Sequence, residues 1–448
     1  MKKITTLVLI CISFLQLSHS QQANFKRVVI SNPSENVLLR LNNQGIDLTC
    51  GAIQTDEGLQ LELSEYELRS VSNLGVPFRV LINDLTKYYA DRAEKNLPRA
   101  KQELQSQKYS TAKAGFGKSS VSNILFDNLG QYNGCDEINW STPTNFKLGS
   151  MGGCFTVSEA LAELDLMRSL YPNIISVKTD ASPTNQTTLE GRTTYFVRIS
   201  DNPDIDETGE PETLYTGMTH SRELSSLMNL MYYMWYILEN YGSDPAITSL
   251  VNNQELYFIP IVNSDGLAYN ESVAPNGGGL QRKNRRDTGS CSTYNDGIDL
   301  NRNFGYYWGN GGSSTDGCNQ TYRGTSHFSE PESQIVRDFF MDHDFKLVLN
   351  HHSFKNAMLH GYAGVDPATF GDTCEVVAVL GGDGTMLNAA NQIGPASVPV
   401  AGINIGTLGF LTTCTDDELD VFAKAVAQKQ YKLIPRMQLR ATVLSPNG

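Results

Sequence analysis

Apolar and polar positions over residues 25–84 change their period several times within a short distance, which predicts a small unit of alternating strands and helices. Val28, Val29 and Ile30 read as a strand, and residues 36–41 as a helix that stops near Gly45. Residues 46–53 and 59–63 follow as a strand pair. The second member, Leu59-Gln60-Leu61-Glu62-Leu63, alternates strictly, and a turn at Asp56-Glu57-Gly58 joins the two. Ser64 and Glu67 have capping-box spacing for a second helix closing at Gly75, and residues 78–82 alternate as a last strand. Strand, helix, strand pair, helix, strand is the order of a ferredoxin-like module.

Residues 85–148 lose this periodicity and are rich in Lys, Gln, Ser, Gly and Asn, which predicts a linker, with 101–120 exposed and open to proteolysis. A second domain is predicted over 149–362. Thr156 and Glu159 cap a helix running to about Tyr171, and strands follow at 195–199, 214–218 and 256–262. Between the last two lies a helix with Leu224, Leu227, Met228, Met231, Trp235 and Leu238 on one face, a pattern of core packing. Strands separated by helices predict an α/β fold, a mostly parallel or mixed sheet covered by helices, and such folds gather their sites at the carboxyl ends of strands. Residues 263–328 form a loop long enough to suggest a function. Ser329, Pro331 and Glu332 then open a helix, and residues 345–350 a strand ending at His351-His352.

Composition narrows the partners. A chain of 448 residues suggests about three domains, and 40 % hydrophobic content supplies cores for them. A net charge of −13 excludes nucleic acid as a partner. Residues 1–20 have a basic start at Lys2 and Lys3, an apolar run and small residues before Gln21, the form of a secretory signal peptide cleaved after Ser20. No stretch is long enough to span a bilayer, so a secreted or periplasmic protein is expected. Export permits disulfides. Cys135 with Cys154 and Cys291 with Cys318 are the plausible local pairs, against buried free thiols.

The candidate chemistry begins at Leu214-Tyr215-Thr216-Gly217-Met218-Thr219-His220-Ser221-Arg222-Glu223, where an imidazole and a carboxylate three residues apart at a strand-to-helix turn can face one point. Behind them come Arg282-Lys283-Asn284-Arg285, Asp299-Leu300-Asn301-Arg302-Asn303-Phe304, residues 322–332 and Leu349-Asn350-His351-His352-Ser353-Phe354. Taken alone, the run 282–286 reads as a solvated basic surface. In this order the segments resemble the zinc metallocarboxypeptidases of the carboxypeptidase A/B type, over about residues 150–362. The resemblance implies zinc held by His220, Glu223 and His352, with His351 the competing choice. It also implies Arg282 as the catalytic group polarising the scissile carbonyl, and Arg222, Asn301 and Arg302 as binding residues for the C-terminal carboxylate of a peptide or protein. Cys291 and Cys318 bracket the Asn-Arg loop as a disulfide does in that family, and residues 21–84 are similar to its activation domains.

The family's glutamate base and the tyrosine that covers the substrate have no matching context here. Beyond about residue 362 the pattern changes. Val379-Leu380-Gly381-Gly382-Asp383-Gly384-Thr385, then Gly402-Ile403-Asn404 and Leu408-Gly409-Phe410-Leu411, resemble the middle of an NAD kinase over about residues 372–445, within an α/β fragment at 372–448. That resemblance implies Gly381, Gly382, Asp383, Gly384 and Thr385 as cofactor-binding residues, with NAD and ATP as cofactors. The expected function is zinc-dependent removal of C-terminal residues from peptides, impaired by loss of the base. The alternatives are NAD phosphorylation by the C-terminal fragment, an inactive zinc- and peptide-binding pseudoenzyme, or a fusion artefact in which the join near residues 363–374 is not biological.

Overall fold

The computed structural model describes residues 24–48, 52–114, 142–289, 291, 296–306, 308–309, 312–353, 377–380, 400–404 and 414–415. They fall into two units, one holding the described residues up to 353 and one holding the three last segments.

At the start of the first unit, β1 (Phe25–Ile30), α1 (Glu35–Asn43), β2 (Ile53–Thr55), β3 (Gly58–Ser64), α2 (Glu65–Asn73) and β4 (Arg79–Ile82) form an antiparallel sheet in the order β2-β3-β1-β4. This is the ferredoxin-like arrangement expected. The capping box at Ser64 and Glu67 forms as read. Only glycine fits at Gly58, where φ is 127° and a Cβ would lie 2.3 Å from the Ile30 carbonyl oxygen. Residues 46–48 do not extend the first strand of the pair as expected. Ile46 is buried in the core beneath the helices, and Asp47 turns outward to an ion pair described below.

Residues 85–148 are not a loose linker throughout: α3 spans Leu85–Ala114. Its sequence hides the helix because the apolar stripe is weak, and support comes from i,i+4 pairs, Lys87 with Asp91 and Arg99 with Glu103. Leu85 is fully buried beside Phe25 and Leu280, and Leu104 packs on the main core, so the helix is anchored at its start and again at Leu104. Cys154 is a free thiol, and Cys135, its alternative partner, lies outside the described residues; burial pushes the Cys154 pKa up to about 11.

The remainder of this unit is built on five strands, β5 (Thr179–Asp180), β6 (Tyr195–Ile199), β7 (Glu212–Thr216), β8 (Glu255–Ile259) and β9 (Phe345–Asn350), in the order β5-β6-β8-β7-β9. The sheet is mixed: β6 runs antiparallel to β5 and β8, while β7 is parallel to both β8 and β9. Helices α4 (Val157–Leu170), α5 (Leu224–Asn240), α6 (Pro245–Val251), α7 (Ser264–Val273) and α8 (Pro331–Met341) complete it. The face of α5 read as core is core: Leu227, Met231, Trp235 and Leu238 are buried, each worth about 1.5–3 kcal/mol for the larger apolar side chains. In the second unit, β10 (Val377–Leu380), β11 (Val400–Asn404) and β12 (Cys414–Thr415) form a parallel sheet. Gly381, Gly382, Asp383, Gly384 and Thr385 lie outside the described residues.

Candidate metal centre

The site follows from strand register. Strands β7 and β9 are parallel neighbours with Thr216 opposite Asn350, so both chains leave the sheet at the same edge. His220 lies four residues beyond the end of β7 and His352 two beyond the end of β9. The β7 turn is tight: Met218 takes a left-handed φ of 54°, held by its own N–H donating to Ser226 Oγ at 3.1 Å and its carbonyl accepting from Asn263 N–H. Glu223 then occupies the position just before α5, yet its carboxylate makes no cap hydrogen bond. It faces the histidines instead.

There the donor atoms converge. His220 Nδ1 lies 2.8 Å from Glu223 Oε1, His352 Nδ1 lies 2.8 Å from Glu223 Oε2, and the two Nδ1 atoms are 3.1 Å apart. Burial works to raise the Glu223 carboxyl pKa, but the two imidazoles overcome it and hold it below the usual range. Behind His220, the fully buried Asp299 accepts at 3.0 Å from Nε2. Burial again opposes ionisation there, while Arg282 and His220 hold Asp299 well below the usual carboxylate range. Two imidazole nitrogens and a carboxylate aimed at one point, one histidine backed by a carboxylate, is a donor set that fits zinc with a fourth position left to solvent or substrate. His351, the competing choice, is turned away: its N–H donates to Thr216 O and its ring stands near Tyr215.

The other expected residues surround this cluster without meeting it equally. Arg282 is 2 % exposed, and its Nη2 lies 3.1 Å from Asp299 Oδ2 and 3.2 Å from Asp47 Oδ2 of the N-terminal module. The run 282–286 is thus no solvated surface. Lys283 donates to the Gly317 and Asn319 carbonyls, Asn284 to Glu330 and Glu332, and Arg286 to Glu330. Asn301 and Arg302 sit in a 3-10 turn (Leu300–Arg302) capped by Asp299, whose Oδ1 accepts from Asn301 N–H. Arg302 Nε donates to Gly312 O. The Cys291–Cys318 disulfide closes the loop around this turn. Arg222 stands over the Phe25 ring at 5.7 Å. Two residues carry more than sequence reasoning gave them. Asp299 links ligand, arginine and turn, and its place at the head of the Asn-Arg segment was the available signal; Asn350 contacts His352 Nε2 at 3.1 Å.

Comparison with known proteins accords with this geometry. The zinc carboxypeptidase family model matches residues 160–428. Among curated relatives, mouse carboxypeptidase A2 is 28 % identical over 237 residues, covering 52 % of each chain. A zinc carboxypeptidase of Saccharothrix mutabilis subsp. capreolus is 31 % identical over 35 % of this chain and 33 % of its own. An inactive metallocarboxypeptidase, ecm14 of Talaromyces marneffei, is 29 % identical over 39 % of this chain and 30 % of its own. The chain thus spans about half, or less, of the length of these relatives. The fold is similar to that of a carboxypeptidase A from Helicoverpa armigera, with a TM-score of 0.51 at 21 % identity over 77 % of this chain and 73 % of that one. The family match runs into the stretch read as NAD-kinase-like, and neither that reading nor NAD or ATP as cofactors gains support from any comparison. With its matched region exceeding half its length, the chain belongs to the zinc carboxypeptidase family.

Proposed function

We propose that this protein is a secreted metallocarboxypeptidase-like hydrolase acting on peptide C-termini, with His220, Glu223 and His352 as its zinc ligands. The observation that carries the reading is the convergence of both Nδ1 atoms and the Glu223 carboxylate, with Asp299 behind His220. Zinc at such a site supplies a Lewis acid and lowers the pKa of water toward about 7. Arg282, buried beside the cluster, would stabilise negative charge on the scissile carbonyl oxygen. The planar forks of Arg302 and Arg222, with the Asn301 amide, suit a terminal carboxylate.

Two features bear on turnover. Among the described residues, the carboxylates at the cluster are Glu223 and Asp299, and both are committed to the histidines and to Arg282. Neither is free to act as a general base, a role worth about 10² to 10⁴ in rate. The second reading is a zinc- and peptide-binding pseudoenzyme, for which the inactive metallocarboxypeptidase among the relatives is a precedent. In addition, Asp47 engages Arg282, and Thr321 Oγ1 donates to Gly45 O at 2.9 Å, so the N-terminal module would restrain the substrate end like a propeptide.

The test is hydrolysis of a blocked dipeptide with a free C-terminus, against the same peptide amidated, before and after removal of the module. Chelator-sensitive release of the last residue from the free form alone supports the enzyme reading. Zinc-dependent binding of that peptide without release supports the pseudoenzyme. Equal handling of both peptides overturns the C-terminal reading.

A further inference from the structure

His352 enters the cluster through Nδ1 and turns Nε2 the other way, toward Asn350 Nδ2 at 3.1 Å. The same amide sends Oδ1 back to two hydroxyls, Thr216 Oγ1 donating at 3.0 Å and Thr219 Oγ1 at 3.2 Å. Both threonines are buried, and Thr216 is in register with Asn350, so the amide is held at a defined place at the carboxyl end of β9.

The direction of these bonds has a chemical consequence. An amide N–H facing Nε2 requires a lone pair there, which leaves the imidazole proton on Nδ1. A nitrogen carrying that proton has no lone pair for a metal. Ligation through Nδ1 puts the proton on Nε2, which then needs an acceptor. A half-turn of the Asn350 amide about χ2 provides one by exchanging Nδ2 for Oδ1. The threonines accommodate either orientation, since a hydroxyl both donates and accepts. His220 differs: its Nε2 faces Asp299, which as a carboxylate only accepts, so the acceptor that ligation through Nδ1 requires is already in place.

We propose that Asn350 is a positioning residue for His352, meeting its Nε2 from the carboxyl end of β9 and turning to accept from it when zinc is bound, with Thr216 and Thr219 as its pivot. The proposal rests on the zinc-ligand reading above. Asp299 makes one histidine a permanent ligand, and the amide makes the other convertible.

The test compares zinc affinity of the full chain and its variants by competition with a chromophoric chelator, alongside thermal melts of the metal-free forms. Asn350→Leu should weaken zinc binding about 10–100-fold, the range for loss of an outer partner. Asn350→Asp, which accepts without turning, should bind at least as tightly as the parent. If both variants bind within twofold of the parent, the positioning role is overturned while the ligand reading stands. If Asp weakens binding as much as Leu does, the amide acts as a donor and the turn is wrong. A parent chain that takes up no zinc overturns both readings. Should Asn350→Leu fail to fold, nitrogen-15 spectra of the parent decide: zinc should move the His352 proton from Nδ1 to Nε2, and a proton unmoved would overturn the proposal.

Discussion

The two ends of the candidate site are prepared to different degrees. At the metal end, His220, Glu223 and His352 face one another, and Asp299 backs the first ring. At the substrate end, Arg282 is shared between Asp299 and Asp47, Arg302 is held to a loop carbonyl, and Arg222 stands over a ring of the N-terminal module. The first set of partners orients donors; the second occupies them. On the proposed reading, the module bears directly on the substrate end through Arg282 and Arg222, and reaches the metal end only through Asp299.

The largest effect should come from breaking the metal end. His352→Ala removes a ligand, and its zinc affinity, measured by chelator competition, should fall by more than the roughly 10–100-fold expected for outer partners; a smaller loss would place the metal elsewhere. Next is the packing beneath the substrate end, where the buried Glu332 shares the Asn284 amide with Glu330. Burial pushes the Glu332 pKa up from 4.5 to about 7, against the Asn284 hydrogen bond. The folded state thus holds this proton more tightly than the unfolded one. Stability from this group is complete below about 4.5 and is lost as pH rises through about 7, by roughly 3 kcal/mol in all. Glu332→Gln should flatten that slope in denaturant melts at pH 5 and pH 8; an unchanged slope would assign it to another group.

A smaller change sharpens the contrast. Asp47→Ala leaves the ligands untouched and removes one of the two carboxylates on Arg282, so it should weaken module docking by about 1.5–3 kcal/mol. Limited proteolysis of the module should quicken while zinc affinity stays the same; a parallel loss of zinc would join the two ends. The smallest effect is a control: Thr156→Ala removes the α4 cap, distant in sequence from both ends, and should cost about 1 kcal/mol in a thermal melt with zinc affinity unchanged.

Legibility in the sequence followed the range of the interactions. The capping boxes at Ser64 and Thr156 join residues three apart, and both formed as read. The segments holding His220, Glu223 and His352 could be found because each carries its chemistry in a few neighbouring residues. Their convergence needed only β7 and β9 to be parallel neighbours. What could not be read joins distant segments: Asp299 to His220 across 79 residues, Asp47 to Arg282, and the Asn350 amide to Thr216 at the end of β7 and Thr219 in the turn after it. Helix α3 escaped for the opposite reason, since surface ion pairs support a helix without the apolar stripe by which helices are recognised. The Gly-rich segment beginning at Gly381 lies outside the described residues. A strand running into such a turn suits phosphate in many proteins, but the family match runs through this stretch and lends that reading no support.

The most direct test of the central claim is an anomalous difference map, collected at the zinc edge from crystals of the full chain grown with zinc. The account predicts one strong peak at about 2.0–2.2 Å from His220 Nδ1, His352 Nδ1 and a Glu223 carboxylate oxygen. A peak on other side chains, or none at these three, would contradict it.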